Sequence, residues 1–309
     1  YDTVITSGNE PLWWSPNDEQ TVIAYTHSTP RFMYDLFGRT ADADFDGVSG
    51  RLYAAFTHAR RALYETNVRR PDHWIANSDL VARRIRQYWN IPDDQIDVVY
   101  PPVDCQQYSP TTAPTEDVYL HVGRLVDHKR VDEIVTEFAR RDSELWIAGK
   151  GPARESLEQQ AAAAGADNIR FLGWVGDERK RELMSRARAM VYPALNEDFG
   201  MVPIEAMAAG TPVIGVSDGF TKYQLQNGDN GILFERGELA RAIDRFESTG
   251  VAWSPEMIAR FADENFGAQR FRDEMTSVIT SVQEQTTIRP ELQTPGKRLT
   301  VADGAGGVD

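Results

Sequence analysis

Short apolar runs alternate with longer amphipathic stretches through the second half of the chain, from Val118 onward. The runs that predict strands are residues 118–123, 145–149, 169–173, 189–193, 212–216 and 231–234. The stretches between them predict helices over residues 129–140, 154–164 and 180–188, and one more that ends at Gly210. Short strands that alternate with helices indicate an α/β fold with a parallel, doubly wound sheet. Ligands of such sheets bind at the carboxyl ends of the strands.

The first hundred residues show the same alternation less completely. Strands are predicted over residues 2–8, 21–27, 74–77 and 97–100, and helices over residues 52–65 and 78–89. A run rich in Pro and Thr, residues 105–117, predicts a linker. The chain therefore divides into a domain over residues 1–104 and a second domain over residues 118–265. A helix over residues 266–285 is expected to pack back toward the first domain, before a disordered tail over residues 286–309.

Composition narrows the class of protein. With 309 residues and 41% hydrophobic content, the chain can form two domains with packed cores. No run of eighteen apolar residues is present, as a transmembrane helix would need. A single cysteine, Cys105, precludes an intramolecular disulfide and favours a reducing, cytoplasmic location. The formal net charge of -14 argues against nucleic acid as a partner.

The stretch NEDFGMVPIEAMAAGTPVIG, residues 196–215, concentrates the candidate chemistry. It leads from a strand end through Gly200 into a helix that begins near Met201, whose free amides and dipole suit a phosphate. Glu205, about one turn into this helix, could accept two hydrogen bonds from a vicinal diol such as a ribose. Glu197, on the loop before the helix, would face the other end of the same ligand. Ribose, two phosphates and a sugar follow in this order in a nucleotide diphosphate sugar.

Other strand ends fit the same ligand. Arg124 and Lys129 follow the first strand of the second domain, where two cations can neutralise a diphosphate without a metal. The main chain of Trp174 and Val175, after the third strand, could bind the edge of a nucleobase. The glycines that form turns on this rim are Gly123, Gly149, Gly151 and Gly173.

In order along the chain, GRL with a following Lys, AGKGP, FLGWV and EDFGMVPIEAMAAGTPVI resemble the retaining glycosyltransferases of family 4. The resemblance covers about residues 2–285. It implies the GT-B fold, in which two Rossmann-like doubly wound domains face a cleft, the first of them on the acceptor side. It also implies that Arg124 and Lys129 bind the donor diphosphate, that Glu205 binds the ribose and that Glu197 contacts the transferred sugar. The backbone expected to hold phosphate and sugar is that of Phe199, Gly200, Met201 and Val202.

The segments YTHSTPRFMYDLF (25–37) and VVYPPVD (98–104) resemble the mannosyltransferase branch of the family, which uses GDP-mannose. By this resemblance His27 reaches the donor sugar and joins Glu197 as a catalytic candidate, although a buried structural histidine is the alternative. The first domain is short for this fold and lacks the family's Gly-rich loop, so we expect an incomplete, N-terminally truncated domain. Tyr223 stands where many relatives have an acidic residue.

The sequence thus predicts a retaining hexosyltransferase that moves mannose from GDP-mannose to a glycan or lipid-linked acceptor. No Asp-x-Asp motif is present, and neither a cofactor nor a metal is expected. Two alternatives are a GT-B-fold sugar-nucleotide epimerase and an incomplete fragment that binds nucleotide sugar without turnover. Trp13 and Trp14 could form an acceptor platform, with core packing as the alternative.

One basic run stands out from the acidic background of the first domain. Its arginines are Arg51, Arg60, Arg61, Arg69, Arg70, Arg83, Arg84 and Arg86. They could be solvated helix faces, or they could contact an anionic lipid headgroup or a lipid diphosphate acceptor. The second interpretation predicts a protein peripheral at the inner face of the cell membrane.

Overall fold

The computed structural model describes residues 2–8, 20–35, 37, 47–110 and 116–292. The predictions for Trp13, Trp14, residues 111–115 of the linker and the end of the tail fall outside these residues. Within the described part of the chain, no helix is both long enough and apolar enough to cross a membrane.

The amino-terminal domain contains a four-stranded sheet in which neighbouring strands are parallel and follow one another in chain order. Its strands are β1 (Thr3–Gly8), β2 (Thr21–Thr26), β3 (His73–Ala76) and β4 (Ile96–Val98). Among the described residues, helix α1 (Gly47–Asn67) connects β2 to β3 and helix α2 (Asp79–Trp89) connects β3 to β4. Ser78 caps α2, since its hydroxyl accepts a hydrogen bond from the amide of Val81 at 3.2 Å.

The second domain contains a six-stranded parallel sheet. Its strands are β5 (Glu116–Val122), β6 (Glu144–Ala148), β7 (Ile169–Gly173), β8 (Ala187–Tyr192), β9 (Val213–Val216) and β10 (Gly231–Phe234). They lie in the order β10-β9-β8-β5-β6-β7, so the chain winds outward from β5 in both directions. One hydrophobic cluster covers each face of this sheet, which explains why the strands read as continuous apolar runs.

The helices of the second domain follow the alternation of the sequence. They are α3 (Val131–Phe138), α4 (Arg154–Ala163), α5 (Asp177–Arg186), α6 (Met201–Ala208), α7 (Thr221–Gln224), α8 (Leu239–Thr249) and α9 (Pro255–Phe266). The helix predicted from Lys129 begins later than expected. Residues Asp127–Lys129 form a 3-10 turn, and Arg130 has φ of 51°, which interrupts the helical path before Val131.

A long final helix, α10 (Ala268–Leu292), returns to the amino-terminal domain. Val282 and Phe271 pack with Tyr25, Ile75 and Val99, which belong to or follow the strands of the four-stranded sheet. Part of the segment predicted as a disordered tail is therefore helical, because α10 continues to Leu292.

Candidate active site

The glycines at the carboxyl edge of the six-stranded sheet let neighbouring loops pack backbone against backbone. The amide of Gly149 donates to the carbonyl of Gly173 at 2.7 Å. A Cβ on Gly149 would lie 1.8 Å from the carbonyl oxygen of Gly123, and one on Gly151 would lie 2.1 Å from that of Leu125. A side chain is therefore excluded at both positions, and these glycines shape the floor of the cleft by close packing.

The loop after β8 turns into α6 at Gly200, which has φ of 79°. A Cβ there would lie 3.0 Å from Cγ of Glu197 and 3.4 Å from the hydroxyl of Tyr192. Gly200 provides no side chain that could cap the first-turn amides of α6. Gln224 donates from Nε2 to the carbonyls of Phe199 and Gly200, at 2.6 and 2.9 Å. Gln224 thus satisfies the carbonyls of this turn. The amides at the start of α6, which have no side-chain cap, are suited to bind an anion.

Glu197 lies in a compact polar cluster with two residues of its own domain. Its carboxylate forms an ion pair with Lys129 and accepts a hydrogen bond from the hydroxyl of Tyr192 at 2.9 Å. The ammonium of Lys129 lies 3.2 Å from the same hydroxyl. Burial, reinforced by the charge of Glu197, raises the pKa of Tyr192 well above its usual value, so this phenol stays a neutral donor. The structure therefore pairs Lys129 with Glu197, and its predicted contact with the donor diphosphate stays a prediction.

Glu205 lies on α6 and pairs with a lysine that sequence reasoning missed. Lys180, on the neighbouring helix α5, donates to Oε1 of Glu205 at 2.9 Å. The other carboxylate oxygen is buried, and no described residue meets the geometry of a hydrogen bond to it. The Tyr108 hydroxyl is nevertheless close to this carboxylate, because burial and then the charge of Glu205 raise the pKa of Tyr108. Buried polar atoms are nearly always satisfied, so the unpaired oxygen marks Glu205 as the carboxylate of this helix to test for a ligand contact.

The remaining predicted donor contacts lie on the rim. Arg124 is exposed and forms no ion pair with the described residues, so it can turn toward an anion. The side chain of Trp174 is 70% exposed after β7, with the ammonium of Lys150 6.0 Å from its ring centroid. Val175, beside it, packs against the core. The structure keeps Arg124 and Trp174 accessible and gives Val175 a partly buried position.

His27 follows β2 in the amino-terminal domain. Its Nε2 lies 2.8 Å from the hydroxyl oxygen of Ser7, and its ring meets that of Tyr25 edge-on at 5.2 Å. Burial lowers the pKa of His27, which favours the neutral ring. Among the described contacts, His27 touches none of the other predicted site residues, although Arg31 from the same loop reaches the carbonyl of Asn196 at 2.9 Å.

Two family models match this chain in succession. The model of the group 1 glycosyl transferases matches residues 107–264, about half of the chain, and that of Glycosyltransferase Family 4 matches residues 2–107. The chain belongs to the group 1 glycosyltransferases.

Relatives and solved structures are consistent with this assignment. A D-inositol 3-phosphate glycosyltransferase of Geodermatophilus obscurus is 30% identical over 272 residues, which cover 79% of this chain and 60% of the relative. The O-antigen chain mannosyltransferase RfbU of Salmonella typhimurium is 30% identical over 167 residues, or 51% of this chain and 45% of its own. The chain thus spans about half the length of these curated relatives.

The structure of Anabaena HepE in complex with UDP-glucose has a TM-score of 0.68 to this glycosyltransferase. Sequence identity is 18%, with 85% of this chain and 72% of HepE covered. This likeness confirms the predicted GT-B fold, with two Rossmann-like α/β domains.

The amino-terminal domain of this glycosyltransferase contacts the loop that contains Glu197. The sequence did not predict this contact. Arg84 belongs to the basic run predicted to lie on solvated helix faces or to contact an anionic lipid, but it is 6% exposed and pairs with Asp198. That part of the prediction was wrong, because the partner carboxylate lies in the other domain. The sequence offered one signal for this contact, the acidic residue Asp198 next to Glu197. That signal does not indicate which basic residue pairs with it.

A buried histidine also lies behind the site of the glycosyltransferase. His121, on β5, makes a hydrogen bond through Nδ1 with the carbonyl of Val191 at 3.0 Å. Its Nε2 is buried without a partner among the described residues, 3.3 Å from where a Cβ of Gly123 would lie. Burial lowers the pKa of His121 to about 4, so the ring is neutral near neutral pH.

Proposed function

We propose that this chain transfers a hexosyl group from a nucleotide diphosphate sugar to an acceptor hydroxyl, with retention of configuration. The observation that carries this proposal is the arrangement around α6. A helix start without a side-chain cap lies between the Lys129–Glu197 pair and Glu205, one oxygen of which has no hydrogen-bond partner in the described part of the chain. The diphosphate would lie at the helix start, the transferred sugar beside Glu197 and the ribose at Glu205.

The leaving diphosphate gains negative charge as the bond to the sugar breaks. The first-turn amides of α6, with Arg124 and Lys129, would stabilise that charge. When Lys129 shares its ammonium with a phosphate, Glu197 can orient the sugar and stabilise positive character at its anomeric carbon. Tyr192 would hold Glu197 during this change, since its hydroxyl stays protonated. We assign no covalent nucleophile, and the acceptor proton would pass to the leaving phosphate.

We propose GDP-mannose as the donor and a glycan or lipid-linked alcohol as the acceptor. The likeness of residues 25–37 and 98–104 to mannosyltransferases supports mannose, as does the relative RfbU, itself an O-antigen chain mannosyltransferase. HepE was solved with UDP-glucose, so a UDP-sugar is the donor to test against. With two cations available for the diphosphate, we propose that turnover needs no metal, and activity in EDTA would test this.

Thermal stabilisation by GDP-mannose, UDP-glucose and ADP-glucose is the first experiment. We expect GDP-mannose to raise the melting temperature most, and we expect glycoside formation with the anomeric configuration of the donor once an acceptor is added. The matched control is Glu205→Gln, which should lose most of the stabilisation. Epimerised sugar nucleotide without acceptor would instead favour the epimerase, and binding without any transfer would favour the incomplete fragment.

We also propose that helix α1 contacts an anionic membrane surface at the inner face of the cell membrane. Leu52, Phe56 and Leu63 are 67%, 64% and 55% exposed, and their spacing places them along one side of the helix. Arg51 and Arg60 are exposed on the same helix. An apolar strip with arginines is complementary to anionic headgroups and the acyl boundary beneath them.

Vesicle flotation tests this contact. The chain should float with phosphatidylglycerol vesicles and not with phosphatidylcholine vesicles, and the double change Leu52→Ser with Phe56→Ser should abolish flotation. Met257→Ser is the matched control, since Met257 is exposed on the other domain. Equal recovery with neutral and anionic vesicles would refute the proposal.

A further inference from the structure

The backbone carbonyls of the two residues on either side of Glu197 in the chain, Asn196 and Asp198, accept hydrogen bonds from the amino-terminal domain. The guanidinium of Arg31 donates to the carbonyl of Asn196 at 2.9 Å. The hydroxyl of Ser78 donates to the carbonyl of Asp198 at 2.6 Å. The carboxylate of Asp198 also forms an ion pair with Arg84 on α2. Each contact joins residues more than a hundred positions apart, so it exists only when the two domains lie together.

These contacts form a charge-balanced cluster with little access to water. Arg31 donates to Asp35 at 2.9 Å, and a guanidinium nitrogen of Arg84 lies 3.7 Å from the same carboxylate. Arg84 and Ser78 are buried, and Asp198 is largely so. In such a setting, removal of one partner leaves an uncompensated charge, so the cluster strongly favours one domain arrangement.

The second domain holds the opposite side of the same loop. The amide of Asn196 donates to the carboxylate of Asp218 at 2.9 Å, and the amide of Phe220 donates to the carbonyl of Glu197 at 2.9 Å. A Cβ on Gly219 would lie 2.4 Å from the amide nitrogen of Glu197. Glu197 is therefore positioned by both domains, whereas its own side-chain partners Lys129 and Tyr192 come from one.

We propose that Arg31, Ser78 and Arg84 are positioning residues that couple domain closure to the orientation of Glu197. The proposal rests on the proposed function, in which Glu197 acts on the transferred sugar. When the domains separate, the carbonyls of Asn196 and Asp198 lose their donors and the loop is released on one side. The nucleotide half of the site, around Glu205, is unaffected because its contacts lie within the second domain.

Distance measurement by pulsed electron paramagnetic resonance tests the coupling without any activity. Spin labels at Ala59→Cys and Ala162→Cys report on one exposed helix of each domain, in a Cys105→Ala background. We expect Arg84→Met and the isosteric Asp198→Asn to broaden the distance distribution toward longer values. Arg86→Met is the matched control, since Arg86 lies on the same helix and pairs with Asp93 away from the cleft. Distributions identical to that of Arg86→Met would overturn the proposal.

Kinetics with GDP-mannose and calorimetry with GDP separate positioning from binding. Misplacement of a reacting group lowers turnover steeply, so we expect kcat to fall about tenfold or more in Arg84→Met and Asp198→Asn. The Kd for GDP should stay within about twofold of wild type, because the ribose and phosphate contacts are intact. Arg84→Lys should recover part of kcat. If the wild type turns over no sugar nucleotide, the proposed function fails, while the label distances still decide the coupling.

Discussion

The two carboxylates of the cleft, Glu197 and Glu205, look alike in sequence but are held in different ways. Each pairs with a lysine, Lys129 for the first and Lys180 for the second. The loop of Glu197 is fixed between two domains, whereas Glu205 and Lys180 lie on adjacent helices of one domain. The nucleotide end of the site is thus formed within one domain, and the sugar end is assembled from two.

The largest effect should come from Glu197→Gln. It removes the charge that balances Lys129 and faces the developing positive sugar, so we expect kcat to fall about 10² to 10³-fold. The Kd for GDP should not rise, because Glu205 and the helix start are untouched and Lys129 is freed for the diphosphate. Steady-state kinetics and calorimetry measure both quantities. The exposed Glu235→Gln is the control, and loss of GDP affinity without loss of kcat would reverse the roles assigned to the two ends.

The next largest effect concerns the folding stability that is lost at acid pH through His121, which is buried behind the Glu197 end of the site. The pKa of His121 is lowered from 6.5 to about 4 in the folded state, so the unfolded state binds the proton more readily. The contribution of the neutral His121 ring to the free energy of unfolding is fully present above pH 6.5 and is lost as the pH falls toward 4. This difference amounts to about 3 kcal/mol. In denaturant titrations from pH 7 to pH 4, His121→Gln should lose less stability than wild type, and the exposed His58→Gln should behave as wild type. Equal losses in all three would contradict the pKa assignment.

Glu205→Gln should weaken nucleotide binding and leave turnover nearly unchanged, the opposite of Glu197→Gln. A hydrogen bond to a charged group contributes about 1.5 to 3 kcal/mol, so we expect the Kd for GDP to rise about 10 to 100-fold. At saturating donor, kcat should be nearly unchanged because Glu197 is intact. Calorimetry and saturation kinetics separate the two, and an unchanged Kd would remove Glu205 from the nucleotide contacts.

The smallest effect is expected for Tyr192→Phe. It removes one neutral hydrogen bond to Glu197 while Lys129 and the cross-domain contacts still hold the carboxylate. One such bond contributes about 1 kcal/mol, so kcat should fall about fivefold. A loss as large as that of Glu197→Gln would mean that the phenol takes a direct part in the reaction. Tyr223→Phe, which changes an exposed tyrosine, serves as the control in the same assay.

Local sequence patterns predicted most of the backbone. The strands predicted over residues 169–173 and 231–234 match β7 and β10, because a buried parallel strand needs apolar residues on both faces. The turn at Gly200 could also be predicted, since glycine between a strand end and a helix can adopt the left-handed backbone that other residues rarely adopt.

Side-chain partners from distant segments could not be predicted. Lys180 lies in a strongly charged helix and has the pattern of a surface residue, yet its ammonium covers Glu205. Arg84 belongs to a basic run but is buried against Asp198, which lies 114 positions away. Periodicity within a helix or strand predicts which face of that element is buried. Ion pairs between domains depend on how the elements pack in three dimensions, which periodicity does not predict.

A crystal structure of the complex with GDP-mannose, or with UDP-glucose if that donor binds better, tests the central claim most directly. The account predicts the ribose hydroxyls at the carboxylate of Glu205, the diphosphate at the first turn of α6, and the sugar beside Glu197. A nucleotide bound in the opposite direction, with its ribose at Glu197, would contradict the account, as would one bound away from α6.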